Sequence, residues 1–569
     1  MLTYGPKQRK GNGKITEREQ GIYESERLDH LGIVAGVCQE IGLAQYLDSQ
    51  EPDSQRQVSV GTATVAMILN GLGFSNRRLY LVPQYFEHKP LEHLLGAGIK
   101  AEDLNDDCLG RTLDWLYEHD VTRLFAGIAR KAREKLSISP RMVHVDTTSF
   151  SVSGAYEGEP EAEVAISITY GYSRDHRADL KQWMLALATT QGSDLPLFLR
   201  PLDGNSSDQV SLLAAIEALQ EQLRRPEEEE SSIYVADSGI YSQANMTRLN
   251  AAKLRWISRV PETSITAREE LAKALQTQTL WQESVDGDLR WYGCRVELPQ
   301  GQERWVIVSS KASEQRVHTT LLRQVEREQQ SWQKRLWHLQ ARRFACEADA
   351  HAALEESLKQ LPVWFEVQRS YLAHDHYEGK GRPGKEAVPT QRWQCQATLS
   401  LKQECLAEEE RRRARFIVGT NILDASQLAD EELISTYKQQ GGVERGFRFL
   451  KGPLFLASLV FVKKPERVVA LGFIMVLCLL VYRFAEYRLR SQLAQTGQTL
   501  PNQINRPTST PTMRWVFQCF EGIDLLRIST AAQIISRVLH LQPFHDSVGE
   551  CKQYWNGTMQ GKSRQREYR

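Results

Sequence analysis

The chain has no excess of charge of either sign. Across 569 residues, 71 lysines and arginines balance 71 aspartates and glutamates. That argues against a protein that coats nucleic acid over its whole surface, since such binding rests on uncompensated cations facing phosphates. Cys-x-x-Cys pairs are absent, and the nine cysteines are scattered. This pattern points to reduced thiols rather than a disulfide framework or a zinc site. His-Glu-x-x-His is absent too, although His374-Asp375-His376 is present. No basic stretch followed by an apolar core opens the chain, so no secretory signal is expected. The strongest apolar run, Val468 to Tyr482, is about fifteen residues. A bilayer span needs roughly 20. The run predicts a buried core helix and no membrane partner.

What is there is a long chain of ordinary globular composition, enough for several domains with sizeable cores. Its neutrality is uneven. From Tyr437 to the C-terminus there are 19 basic against 8 acidic residues, while compensating acids lie upstream, as in Glu227-Glu228-Glu229-Glu230. A neutral total hides a basic final stretch suited to phosphates.

The expected organisation is as follows. Residues 1–24 are polar and disordered. Residues 25–137 are helical throughout, with Val58–Asn70 and Asn76–Phe86 joined by a Gly-rich turn and a further pair through Leu91–Leu95 and Asp107–Tyr117. Helix-turn-helix and plain helical packing both fit. From residue 138 the pattern turns to strands: one ending at Asp146 with extended alternation beyond it, a second over Val164–Tyr170, a third over Gln182–Thr190. Helix Ser207–Leu223, strand Ile233–Asp237, helix Ser242–Lys253 and strand Arg255–Val260 follow. Glu444 stands 207 positions after Asp237. A compact core needs no loop that long, so residues 263–413 are an inserted α+β domain. Strands there are expected at Leu289–Leu298, Glu303–Ser309, Val363–Tyr371 and Gln391–Leu401, with a long charged helix over Thr320–Leu361. Residues 414–485 return to the core through strand Phe416–Thr420, and 486–569 form a helical region with a basic tail.

Three carboxylates carry the chemistry. Asp146 and Asp237 each close an apolar run, Met142-Val143-His144-Val145-Asp146 and Ile233-Tyr234-Val235-Ala236-Asp237. Such runs read as buried strands delivering an acid. Glu444 sits in a helical stretch. Tyr437, Glu444 and Lys451 are seven apart. Seven residues drift only about 20° around a continuous helix, which puts them on one face, with Gln440 and Arg448 close by. Gly441-Gly442 mark a helix start, a bend, or a close backbone approach to DNA. Three hard oxygen donors converging on one spot would hold two Mg²⁺ or Mn²⁺ ions. Two such ions clamp the attacking and leaving oxygens of a phosphoryl displacement. The plainer alternative is that strand-end aspartates and helix glutamates are solvated surface groups.

Together these residues resemble the catalytic core of DDE-type insertion-sequence transposases, in the group with a Tyr-x2-Arg-x3-Glu-x6-Lys signature. Tyr437, Glu444 and Lys451 match it, and Gln440 stands where the signature has Arg. The resemblance implies an α/β fold with a ribonuclease-H-like mixed-sheet core, a large insertion and a helical N-terminal domain that binds DNA ends. It implies catalytic and metal-ligating roles for Asp146, Asp237 and Glu444. It implies DNA cleavage at terminal inverted repeats, strand transfer into target DNA, assembly as a homodimer on DNA, and a bacterial cytoplasmic location beside the nucleoid. Lys451 and Tyr437 would grip the DNA backbone. Arg174, Arg177 and Lys181, on the loop after the expected second strand, and Lys380 and Arg382, in a Gly-Arg-Pro hook suited to a minor groove, are further candidate contacts. A solvated turn accounts for either loop as well. A nuclease without strand transfer and a non-catalytic DNA-binding remnant are the rival readings.

Overall fold

The computed structural model describes residues 22–52, 54–74, 79–154, 156, 166–173, 175, 177–223, 232–276, 281–377, 388–452, 464–529 and 534–541. Two compact units emerge, one from residues 1–240 with 438–569, the other from 241–437. All three candidate acids belong to the first. Of the expected disordered segment 1–24, residues 1–21 lie outside the described residues, as do the basic tail and the 227–230 acidic run, while 22–24 are ordered in the strand Ile22–Arg27.

In the first unit the mixed sheet runs in the order Pro196–Leu202, Lys181–Thr190, Met142–Val152, Ile233–Ala236. The first three strands are antiparallel neighbours. The fourth lies parallel to Met142–Val152. A parallel neighbour needs a crossover, which helix Asp208–Leu223 supplies. The strand expected at Val164–Tyr170 is not part of this sheet among the described residues. Its one pairing there is an isolated bridge from Thr169 to Gln182. Gln182 is already paired across the ladder with Ser151, so Lys181–Thr190 is the true neighbour of the first strand, and the extended Pro196 segment completes the trio.

Helices Leu31–Ile41, Leu43–Asp48, Val60–Leu72, Asp106–Glu118 and Val121–Lys135 build the N-terminal region. Ser59 and Asn105 cap two of them through their side chains, which satisfies N–H groups that a helix start leaves unpaired. The region is not helical throughout. Ile22–Arg27 is a strand paired with Asp524–Ser529, which pairs in turn with Ile534–Leu539. The C-terminal region therefore also contains strands where helix was expected. These partners lie some five hundred positions apart, and no local periodicity reveals such a pairing.

The long helix Pro465–Thr496 organises this unit. Every residue from Val468 to Glu486 is buried, as expected of the longest apolar run. By length and composition the helix could cross a membrane, but its apolar stretch is wholly covered by protein. It packs against helices Leu31–Ile41, Val60–Leu72, Asp106–Glu118 and Val121–Lys135 and against strand Pro196–Leu202. Each large apolar side chain so buried contributes about 1.5–3 kcal/mol. Among the described residues, Cys38, Cys108, Cys294, Cys346, Cys395, Cys405 and Cys478 are free thiols.

In the second unit the strand order is Arg255–Val260, Arg415–Thr420, Gly301–Ser310, Leu289–Leu298, Gln282–Glu283. Strands assigned by sequence to the core and to the insertion thus share one sheet. The long charged stretch is two helices, Lys311–Gln340 and Glu347–Leu358. A ribbon of Phe365–His376 paired with Thr390–Leu401 follows. Lys380 and Arg382 fall between its strands, outside the described residues.

Candidate active site

Asp146 does not end its strand. It is fifth of the eleven residues of Met142–Val152, and the run beyond it, rich in β-branched and aromatic residues that suit a pleated surface, stays paired with Lys181–Thr190. The neighbour on the other side is the one that stops. The parallel ladder pairs Met142 with Ile233, Val143 with Tyr234 and His144 with Val235. Two residues further along each chain stand Asp146 and Asp237. The register therefore brings both acids to the same level on neighbouring strands, whose spacing is about 4.8 Å. Backbone pairing alone sets this meeting.

Local contacts fix each carboxylate. Asp146 is 9% exposed, and its Oδ1 accepts from the Thr147 backbone N–H at 2.7 Å. Asp237 Oδ1 accepts from the Gly239 N–H at 2.8 Å, the turn that short acidic side chains favour. A Cβ on Gly239 would sit 2.8 Å from Asp237 Oδ1 and 3.3 Å from the Asp208 Cβ, so this position needs glycine for space. Asp208 is a carboxylate that sequence reading passed over. It opens the crossover helix and accepts from Thr147 Oγ1 at 2.5 Å. An acid in the first turn of the helix after the third strand was the available signal, but within the expected helix Ser207–Leu223 nothing local marks Asp208 out.

Glu444 lies in the first turn of helix Gly441–Leu450 and is exposed. The helix packs on Met142–Val152 and Lys181–Thr190 and beside the long helix. A Cβ on Gly446 would touch Leu187 at 3.5 Å and Leu479 at 3.2 Å. Leu187 is the register partner of Asp146, and directly opposed residues in an antiparallel pair point to the same face. The Glu444 helix therefore covers the sheet face to which Asp146 points. Among the described residues, no three His, Cys, Asp or Glu side chains converge closely enough to hold an ion as they stand.

The single helix expected through Tyr437, Glu444 and Lys451 is two helices, Asp430–Lys438 and Gly441–Leu450, separated at Gln439–Gln440. The paired glycines start the second helix. Seven-residue spacing thus carries no common face back to Tyr437, whose ring lies 6.1 Å from that of Phe416. Gln440 is buried, 9% exposed. Arg448 is exposed. Lys451 follows the helix, with Nζ 3.0 Å from both carboxylate oxygens of Asp175 and 5.8 Å from the centre of the Phe150 ring. Arg177 pairs with Asp179 at 2.8 Å, and Lys181 Nζ donates to the Tyr156 carbonyl at 3.2 Å. Arg174 is outside the described residues.

His144, two residues before Asp146, is buried with neither ring nitrogen hydrogen-bonded. Burial pushes its pKa down to about 4, partly opposed by Asp194.

No curated protein matches the chain. Among solved structures, a similar chain is that of the cryo-EM structure of piggyBac transposase synaptic complex with hairpin DNA. It is 10% identical, with 88% of this chain and 82% of that chain covered and a TM-score of 0.35. A likeness of that size carries no argument. Residues 23–130 match the family described as domain of unknown function (DUF4277). Residues 139–481, which include Asp146, Asp237 and Glu444, match the family described as transposase DDE domain. By that match, which spans more than half of its length, the chain belongs to the transposase DDE domain family.

Proposed function

We propose that this transposase cuts DNA at the ends of its own insertion sequence and joins the freed 3′ ends to target DNA, with Asp146, Asp237 and Glu444 as the catalytic acids. The observation that carries this reading is the register that levels Asp146 with Asp237 beneath the helix bearing Glu444. The strand order, with an antiparallel trio and a parallel fourth strand reached by a helix, supports a ribonuclease-H-like core. The donors fit hard divalent cations: carboxylates on neighbouring strands, with a third on a short helix above them. Bound Mg²⁺ or Mn²⁺ would supply activation of the attacking oxygen and stabilisation of the leaving 3′ oxygen. Asp146 and Asp237 would form the fixed part of the ligand set, and Glu444 would turn in from its exposed position to complete it. Lys451 would exchange Asp175 for a phosphate of the cleaved end, and Arg448 would add charge beside it. Pairing two ends calls for two protomers on DNA.

The test is cleavage of a labelled terminal repeat by Asp146→Asn, Asp237→Asn and Glu444→Gln. Each is expected to lose activity on the order of 10⁴-fold, and double variants little more, because the acids act as one unit. Terminal-repeat binding in EDTA should persist. A variant that still cuts removes its residue from the site. Wild-type cleavage without joining of pre-cut ends would favour a nuclease instead.

A further inference from the structure

We propose that Asp194 is the residue that positions Glu444. The inference rests on Glu444 as the third acid. Asp194 lies in the turn between strands Lys181–Thr190 and Pro196–Leu202, at φ +51°, a left-handed backbone that non-glycine residues seldom take. Its N–H donates to the Thr190 carbonyl at 3.1 Å, and a short hydroxyl contact between Thr190 and Ser193 closes the turn. The side chain is 13% exposed and reaches the Glu444 helix in two ways. Asp194 Oδ2 is 2.8 Å from Arg445 Nη2. Asp194 Oδ1 sits where Gly442 has no side chain, since a Cβ there would lie 2.2 Å away. The helix is thus held on both sides of Glu444 in sequence. Gln440 caps it without a side-chain hydrogen bond, so the carboxylate also meets the positive end of the helix dipole. Behind Asp194 stands Arg483, at 3.9 Å and bound at 2.6 Å to Glu486, which Arg490 also holds at 2.9 Å. The pairing anchors the first turn of the Glu444 helix to the buried long helix. It also accounts for Gly442: the close approach is that of the protein's own carboxylate.

The test uses the full chain with Arg445→Gln, Asp194→Asn and their combination. Three quantities are measured: amide exchange, Mn²⁺ titration, and the cleavage rate at saturating DNA. Each single variant should speed exchange over residues 443–450 while leaving 142–152 unchanged. Each should raise the Mn²⁺ requirement several-fold and lower the saturated rate by about tenfold, within the loss that an ångström of misplacement brings. End affinity should hold, and the double variant should be no worse than either single one. Gly442→Ala should act alike, and adding Asp194→Gly should recover part of that loss, because glycine clears the clash and suits the φ. Wild-type exchange and Mn²⁺ requirement in both charge variants would overturn the inference alone. Wild-type protein that binds no Mn²⁺ would overturn the reading of the site, and this inference with it.

Discussion

The two aspartates and the glutamate are held by different kinds of interaction. Asp146 and Asp237 are levelled by a backbone ladder, and sliding either one would flip every side chain of its strand to the other face. Glu444 rides on a short helix whose first turn is fixed by side chains and by small residues at two contacts. A ladder shared among many hydrogen bonds holds its acids in place with little slack to absorb an intruding group. A helix seated on side chains has softer neighbours, and Leu187 and Leu479 beside Gly446 can yield to a small intrusion. Precision in half of the site comes from strand pairing, and in the other half from packing.

The sharpest way to break this contrast is through glycine. Gly239→Ala forces a methyl group into the space between Asp237 and Asp208. It should reduce end cleavage about a hundredfold, the cost of displacing a reacting group by an ångström, while leaving cooperative unfolding intact. Gly446→Ala meets Leu479 and Leu187 at 3.2 and 3.5 Å, distances that flexible side chains accommodate. Alanine also suits a helix better than glycine by about 1 kcal/mol. Its activity should stay within a few-fold of wild type. Parallel single-turnover assays settle both. Equal losses would show that the helix is as rigidly placed as the strands.

Acid separates the stability of the scaffold from the chemistry of the site. His30, in the helical region, is buried, with Nε2 bonded to the Leu72 carbonyl at 2.9 Å and its ring stacked 4.4 Å from Phe517. Its Nδ1 has no partner, and burial lowers its pKa to about 4. The neutral form is native, so the unfolded chain binds the extra proton between pH 4 and 6.5. The stabilisation is complete above pH 6.5 and is lost as pH falls toward 4, amounting to about 3 kcal/mol. Urea unfolding at pH 7 and pH 5 should show the loss, and His30→Gln should reduce it without abolishing it, because burial lowers the pKa of His144 likewise. An unchanged slope in that variant would assign the acid sensitivity to other groups.

Much of this was legible in the sequence, for identifiable reasons. The apolar runs before Asp146 and Asp237 are short, β-branched and bounded, and they are strands. The hairpin strand Leu289–Leu298 and the strand Arg255–Val260 match their expected bounds. The run Val468–Tyr482 is buried, as its composition requires. Non-local pairing was not legible. Neither the strand Ile22–Arg27 nor the strand-bearing C-terminal region announces a partner so distant. The Val164–Tyr170 alternation looked like a strand because nothing local says which segment Met142–Val152 pairs with. The Tyr437–Lys451 spacing suggested one helix, but two glycines after Gln440 restarted it. Asp208 was missed because its role depends on a hydroxyl sixty-one positions away.

Gln440 tests how far family pattern transfers. An exposed arginine there would grip a phosphate in bidentate fashion. The side chain at this position is buried in the turn before the Glu444 helix. Gln440→Arg should therefore destabilise the fold by about 1–3 kcal/mol, the cost of burying polar groups without full partners, and end affinity should not rise. Thermal unfolding and a binding isotherm at fixed salt check both. Tighter end binding with unchanged stability would mean that the arginine finds its way out to DNA.

The smallest expected effect bears on the outer edge of the helix-borne half. Lys451 is held by Asp175 at 3.0 Å, where a phosphate of the cleaved end would otherwise stand. The pair is partly exposed, so it contributes at most about 1 kcal/mol, and screening by salt reduces that further. Asp175→Asn removes the competing charge and should tighten end binding by up to about fivefold at low salt, with the gain fading as salt rises. Lys451→Ala should weaken binding and flatten the logarithmic salt dependence by about one contact. In the Lys451→Ala background, Asp175→Asn should change nothing further, because the carboxylate acts through the lysine. A gain that persists without Lys451 would mean that Asp175 repels DNA directly, and the lysine would then be a helix-end cation stabilising its own dipole.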